Sequence, residues 1–349
     1  MSSGNQTSYR TFLIRLRSLA KMALEKYGLG EANLKFKSYS GNGLYQVRVG
    51  QSKKPATSFP PSRYALRLHQ PGYMGPEYIS SEMDWLSALR EADIDVPTPY
   101  RNLDGEWLTV VDGGYEVPEQ RNCTLLSWVE GRELGKNVRP KHYRSLGQVI
   151  GKMHEQSMLW KKPKGFERPH WDWEGLFGDG FDYGFSAQEA REAIPKKHQE
   201  AFRSALGLVE EACEQLGKGK RAYGLIHADL GNIVYRAGKA RPFDFDDCGF
   251  GYWVFDLGVV LADNMGDYAI TSPKMRTTLI EGYKETSILP ESNLDYLDTF
   301  IAARFAQLMF FYQGMALRYP QHADESVVEI NRSAKYLKSI LKKVLPHRA

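Results

Sequence analysis

The feature that most constrains the fold is a change of hydrophobic period near Val129. Between Leu34 and Val129 the apolar residues recur mainly at every second position. Leu44–Val49 and Tyr64–Leu68 alternate in this way, and Trp107–Val111 is β-branched and apolar, so each is expected as a strand. One helix is expected within this stretch, over Pro76–Ala92, because Ile79, Met83, Leu86 and Leu89 fall on one face. Lys53–Ser62 is polar and carries Pro55, Pro60 and Pro61, which makes it a loop between strands. Beyond Val129 the period becomes helical. Tyr143–His154, Ala187–Leu216, Val254–Asp263, Lys274–Ser287 and Leu294–Leu317 are expected as helices, with one strand pair between Gly224 and Phe245. A chain of 349 residues in that order is α+β, with a small β-rich lobe and a larger helical lobe rather than one core. The division is set at residues 1–128 and 129–349, with the joint in Leu125–Gly131.

Composition excludes several classes of function. Hydrophobic residues make up 42% and charged residues 25%, ordinary for a folded chain. No apolar run approaches the roughly 18 residues that a membrane-spanning helix needs. A net charge of +4 is too mild to imply a nucleic-acid partner, and none is expected. Cys123, Cys213 and Cys248 stand far apart with no CxxC pair, which fits a reducing compartment and argues against a disulfide scaffold. Arg10, Arg15, Arg17 and Lys21 precede the first acid, Glu25, much as in a transit peptide. However, Phe12, Leu13, Leu16, Leu19 and Ala20 recur at helical spacing, so a first surface helix is expected and the compartment is taken as cytoplasm.

The densest chemistry lies in Leu225-Ile226-His227-Ala228-Asp229-Leu230-Gly231-Asn232-Ile233-Val234-Tyr235, followed by Pro242-Phe243-Asp244-Phe245-Asp246-Asp247. Asn232–Tyr235 and Arg241–Phe245 are short apolar runs separated by a turn at Gly238, the pattern of a hairpin. A hairpin returns the chain, so Asp229 and Asn232 at its start meet Asp244 at its far end. Three oxygen-bearing side chains there can hold a hard cation such as Mg²⁺ and leave one carboxylate for proton work. Singly, each residue is commoner as a packed histidine or a solvated turn acid. Together, acids beside an apolar strand pair are costly unless paired or coordinating.

On these residues the chain resembles the aminoglycoside phosphotransferase and choline kinase group, within the protein-kinase-like fold. The resemblance runs from about Ser38 to Arg318 and is most specific at His227-Ala228-Asp229, Asp244-Phe245-Asp246-Asp247 and Asp256-Leu257. It implies that Asp229 is the catalytic base, that Asn232 and Asp244 hold the metal, and that Asp256 supports the catalytic loop. ATP and Mg²⁺ are the implied cofactors, and a small-molecule hydroxyl is the implied acceptor. One departure stands out. The family places about four residues between the base and the metal-binding Asn, whereas only Leu230 and Gly231 intervene here, so Gly231 is expected to permit a tighter turn.

The nucleotide side has its own candidates. In Ser40-Gly41-Asn42-Gly43, between two strands, Gly41 and Gly43 allow close approach of a backbone to phosphates. There is no GxxxxGK[ST] sequence, which counts against a P-loop enzyme. Arg67 occupies the strand position where the resembled fold keeps a phosphate-binding Lys, and Glu82 follows on the next helix. An arginine there can bind phosphate or pair bidentately with Glu82. Leu126 and Trp128 lie in the connector that the resemblance assigns to adenine, although Trp128 is expected mainly as core. His154 is expected as a packed histidine at a helix end.

For the acceptor, candidate lining comes from Trp171–Phe177, Asp263, Asp267 and the aromatic stretch Phe305–Tyr319. Asp256, Asp263 and Asp267 share a face if helix continues through them, and acids there suit a cationic substrate such as an aminoglycoside or amino alcohol. A solvated helix face is the alternative. Lys335, Lys338, Lys342 and Lys343 are read as a solvated face opposite Tyr336, Leu337, Ile340 and Leu341. The function expected is a small-molecule kinase, and the alternative is a nucleotide-binding, pseudokinase-type module without turnover. A protein kinase proper is disfavoured, because no Ala-Pro-Glu sequence occurs and Asp246 replaces the glycine of Asp-Phe-Gly.

Overall fold

A computed structural model describes residues 9–50, 63–113, 120–263 and 272–345. The expected loop at Lys53–Ser62 lies outside the described residues. The chain divides into two compact units, residues 1–90 with 96–129, and residues 91–95 with 130–349. The short excursion Glu91–Asp95 belongs with the second unit, where Asp95 pairs with Arg241 at 2.7 Å.

The first unit opens with helix α1 (Tyr9–Lys26), followed by β1 (Asn33–Ser40), β2 (Asn42–Arg48) and β3 (Arg63–Leu68). Helix α2 (Pro76–Glu91), β4 (Pro99–Tyr100), β5 (Thr109–Val111) and β6 (Arg121–Ser127) complete it. The strands form one antiparallel sheet in the order β1-β2-β3-β6-β4, with β5 also paired to β6. The basic N-terminal segment is thus a helix of the fold. Its Leu16, Leu19, Ala20, Ala23 and Leu24 enter the same core as Tyr45, Val47, Tyr64, Leu66 and Leu68. Burying that apolar stripe is what holds a short helix on the sheet.

The second unit contains α3 (Pro140–Leu159), β7 (His170–Trp171), α4 (Trp173–Phe177), α5 (Ala187–Glu192) and α6 (Lys196–Leu216). Next come β8 (Tyr223–Ile226), β9 (Ile233–Arg236), β10 (Lys239–Pro242), β11 (Gly249–Tyr252) and α7 (Trp253–Asp263). Helices α8 (Pro273–Lys284), α9 (Glu291–Leu294), α10 (Leu297–Arg318) and α11 (Ala323–Val344) close the chain. The expected single helix over Ala187–Leu216 is two, because Pro195 caps the start of α6 and excludes helix from the residue before it. A second small sheet, β7-β11-β8, joins the expected hairpin β9–β10. Its strands are only two to four residues long, too short for period to reveal them. The hairpin turns through Ala237 (φ 50°) and Gly238 (φ 78°), the left-handed pair of a tight hairpin, and its second strand ends at Pro242 rather than Phe245. In α11, Lys335, Lys338, Lys342 and Lys343 are exposed while Leu337, Ile340 and Leu341 are buried. No helix among the described residues is long and apolar enough to cross a membrane.

Candidate active site

Strand β8 delivers the chain to His227, and its antiparallel partner β11 begins at Gly249 opposite Ile226. The segment Asp244–Cys248 is therefore brought beside the loop His227–Asn232. Hairpin β9–β10 closes the other side, where the Phe243 N–H donates to the Asn232 carbonyl at 3.0 Å. Two neighbours clamp the Asp244 segment from outside through three hydrogen bonds. Arg168 donates from Nε to the Cys248 carbonyl and from Nη2 to the Asp246 carbonyl, and Trp171 Nε1 donates to the Asp247 carbonyl at 2.7 Å.

The loop is pinned from below by Asp256, fully buried in the first turn of α7. Its Oδ2 accepts from the His227 N–H at 2.9 Å and its Oδ1 from the Ala228 N–H at 2.8 Å. His154 Nε2, also fully buried, donates to Oδ2 at 3.1 Å. His154 is an interior residue of α3, which runs on to Leu159, and it buttresses Asp256 rather than ending a helix. Ala228, held by these bonds, has φ 65°, and Asp244 has φ 61°. Non-glycine residues in the left-handed region cost of order 1–3 kcal/mol each and persist only where surroundings impose them. The left-handed residue that tightens this loop is thus Ala228. Gly231 is not among the positive-φ glycines, and a Cβ there would meet only ordinary contacts, the nearest at 3.8 Å.

His227 is buried, with its ring against Phe245 at a centroid distance of 4.3 Å. Its Nδ1 faces the Asp229 N–H at 3.3 Å and must accept, so Nε2 carries the proton and donates to the Phe243 carbonyl at 3.2 Å. Burial pushes its pKa down, against the pull of Asp256, Asp229 and Asp244, and the ring stays neutral.

Asp229 and Asn232 meet directly, with Asn232 Nδ2 donating to Asp229 Oδ2 at 2.7 Å. The other Asp229 oxygen, Oδ1, accepts from Arg304 Nη2 at 2.7 Å. Arg304 also grips Asp263 Oδ2 through Nε at 2.9 Å and through Nη2. Burial alone would lower the pKa of this guanidinium, but Asp263 and Asp229 outweigh it and hold the pKa above its ordinary value. The carboxylate of Asp229 remains 28% exposed, so it is both oriented and reachable. Such an arrangement can accept a proton from an alcohol placed against it. With Nδ2 committed to Asp229, Asn232 presents its other atom, the Oδ1 oxygen, and Asp244 is exposed. Among the described residues no group of three or more His, Cys, Asp or Glu forms a metal cage. Mg²⁺ seldom takes an all-protein cage, so the absence of such a cage does not count against side-chain oxygens that share an ion with phosphate and water.

Sequence reasoning missed Arg304, Arg168 and the buttress His154. Arg304 had left a signal, since it interrupts the apolar run Phe300–Phe311 within α10, where an arginine is costly unless paired. Arg168 had left none. Asp256 and Asp263 lie two turns apart in α7 and both serve the loop around Asp229, one directly and one through Arg304. Asp267 lies outside the described residues. In the aromatic stretch, Phe305 and Phe310 are buried while Phe311 and Tyr312 are partly exposed.

In the first unit the Arg67 side chain pairs with Glu82, Nη1 donating to Oε1 at 2.9 Å and to Oε2 at 3.0 Å. The two residues are 5% and 0% exposed, so of the two roles foreseen for Arg67 the carboxylate pair is the one formed here. Gly41 (φ 84°) is the whole turn between β1 and β2, a conformation that favours glycine. Gly43 has a packing reason, since a Cβ there would lie 2.8 Å from Leu16 Cδ2. Leu126 is buried on β6, opposite Ala65 and Pro99. Trp128 is half-buried rather than core, with the Lys37 ammonium 5.4 Å from its ring centroid. The Trp128 N–H already donates to the Arg63 carbonyl at 2.9 Å, which leaves the ring and carbonyl as groups able to meet a base.

Comparison with known proteins places these features in context. Residues 42–292 match the model of the phosphotransferase enzyme family. An amicoumacin kinase from Bacillus subtilis (strain 168) is 25% identical over 297 residues, spanning 81% of this chain and 80% of that protein. Among solved structures, a microcompartment-associated aminopropanol kinase superposes with a TM-score of 0.77 at 27% identity, covering 94% of this chain and 98% of the other. An amicoumacin kinase in complex with AMP-PNP, Ca²⁺ and Ami gives a TM-score of 0.73 at 20% identity, covering 95% and 96%. A spectinomycin phosphotransferase in complex with ADP and spectinomycin gives 0.63 at 14% identity, covering 93% and 98%.

Proposed function

The chain belongs to the phosphotransferase enzyme family, and from that premise we propose that this small-molecule kinase transfers the γ-phosphoryl group of ATP, with Mg²⁺, to a hydroxyl of an amine-bearing small molecule. The observation that carries the proposal is the Asp229 carboxylate, reachable from solvent yet fixed through both oxygens by Asn232 and Arg304. Asp229 accepts the proton of the attacking hydroxyl as the new O–P bond forms. Asn232 Oδ1 and Asp244 are proposed to hold Mg²⁺, which neutralises the phosphates when bound. Arg67, oriented by Glu82, and the Gly41–Gly43 turn are proposed to serve the nucleotide phosphates, and Leu126 and Trp128 the adenine.

The amine rests on charge. Asp229 and Asp263 pair with Arg304, Asp247 acts on it at longer range, and Arg332 is a second cation acting on Asp263, so three carboxylates face two guanidiniums where the acceptor is proposed to bind. Relatives that act on aminopropanol and on amicoumacin support the same class.

The test is a phosphate-transfer screen over amino alcohols, amino sugars, neutral sugars and a generic protein, with wild type and Asp229→Asn. Asp229→Asn keeps the shape but loses the basic lone pair, and its NH₂ must face one of the two donors, Asn232 or Arg304. Turnover of amine-bearing alcohols is expected to fall by about 10²- to 10⁴-fold, the contribution of a positioned general base. ATP affinity is expected to stay nearly unchanged. Transfer only to neutral sugars would remove the amine, and equal turnover in both proteins would remove Asp229 from the chemistry. ATP binding by wild type with no transfer to any acceptor would favour the pseudokinase alternative.

A further inference from the structure

Arg304 stands where the sequence of α10 leaves no place for a charge. Its neighbours Phe300, Ile301, Ala302, Ala303, Phe305 and Ala306 are all buried, and Arg304 itself is 9% exposed. The guanidinium is fully engaged on one side. Nε and Nη2 go to Asp263, Nη2 also to Asp229 Oδ1, and Nη1 donates to Gln307 Oε1 at 3.0 Å. The hydroxyl of the buried Tyr183 lies within electrostatic reach of Gln307 and Arg304. That hydroxyl donates to the Gly175 carbonyl, in α4, at 2.9 Å.

The direction of every bond on Arg304 is fixed, because a guanidinium can only donate: Asp263, Asp229 and the Gln307 oxygen all accept from it.

We infer that Arg304 is a positioning residue for Asp229, holding the carboxylate in the orientation that receives the acceptor's proton. The inference rests on the kinase function proposed above. Asp229 gives one oxygen to Asn232 and the other to Arg304, which fixes the plane of the carboxylate. Each oxygen keeps a lone pair for the acceptor hydroxyl. Phosphoryl transfer leaves a protein little covalent chemistry, so rate depends on how well the base orients the attacking oxygen. A misplacement of about 1 Å costs about 10²-fold. Asp263 acts one step further out, taking two N–H contacts of Arg304 so that the guanidinium cannot rotate.

The test compares wild type with Arg304→Met and Arg304→Lys, using an acceptor that wild type turns over. Arg304→Met is expected to lower kcat about 100-fold while leaving KM for ATP unchanged. Arg304→Lys, and guanidinium ion added to Arg304→Met below denaturing concentrations, are each expected to restore part of that loss. A folded Arg304→Met with kcat within about twofold of wild type, or a loss confined to KM for ATP, would overturn the inference. Should Arg304→Met fail to fold, full activity in Arg304→Lys, which cannot reproduce the forked grip on Asp263 and Asp229, would overturn it instead. No turnover by wild type with any acceptor would bring down the kinase function itself, and this inference with it.

Discussion

Replacing Asp256 tests how the loop His227–Asn232 is held. Its carboxylate is fully buried and accepts three hydrogen bonds, from the His227 and Ala228 N–H groups and from His154 Nε2. Asp256→Ala leaves those three donors without an acceptor in a dry site. An orphaned neutral donor costs about 1–3 kcal/mol, so the loss is expected to be several kcal/mol, a large share of the roughly 5–15 kcal/mol that holds a domain together. It also frees Ala228 from the φ of 65° that the loop imposes, so Asp229 loses its place even where the fold survives. Asp256→Asn keeps one acceptor and turns an NH₂ group toward a donor, whichever way the amide faces, and should cost about 1–3 kcal/mol. The assay is urea unfolding, read as a lower midpoint at unchanged slope, alongside turnover and ATP affinity of each folded variant. An Asp256→Ala protein whose midpoint and turnover both match wild type would refute the role given to this carboxylate.

Other outcomes follow from the same geometry. Glu82→Ala leaves the Arg67 guanidinium buried without its carboxylate and is expected to destabilise by about 3–5 kcal/mol, whereas Arg67→Met/Glu82→Leu should recover most of that in the same urea assay. Asp244→Ala is expected to abolish the Mg²⁺-dependent rise in Tm that ATP confers on wild type, measured by thermal shift. His227 has a folded pKa below its usual 6.5, so the folded state resists its protonation. Its contribution to stability is therefore complete above 6.5 and is lost as pH falls below it. His227→Asn, which keeps a donor for the Phe243 carbonyl, should reduce the loss of stability between about pH 7 and pH 5, followed by urea midpoints across that range.

The sequence by itself determined the division of labour along this chain. Period alone placed the strands before Val129 and the long helices after it, because a strand repeats every two residues and a helix every 3.6 over stretches long enough to count. The hairpin around Gly238 and the order His227, Asp229, Asn232, Asp244 were legible for the same reason: they are local, and local order is what a sequence records. Contacts between distant segments were decided only by tertiary structure. Arg304 and Asp229 are 75 residues apart, His154 and Asp256 102, and Arg168 and Cys248 80. No periodicity relates such pairs, and the strands of β7, β8 and β11 that align them are too short to show one. Even the tight turn of the His227–Asn232 loop fell to Ala228 rather than to Gly231. Its left-handed backbone is imposed by Asp256, 28 residues away, and not by any freedom of the residue itself.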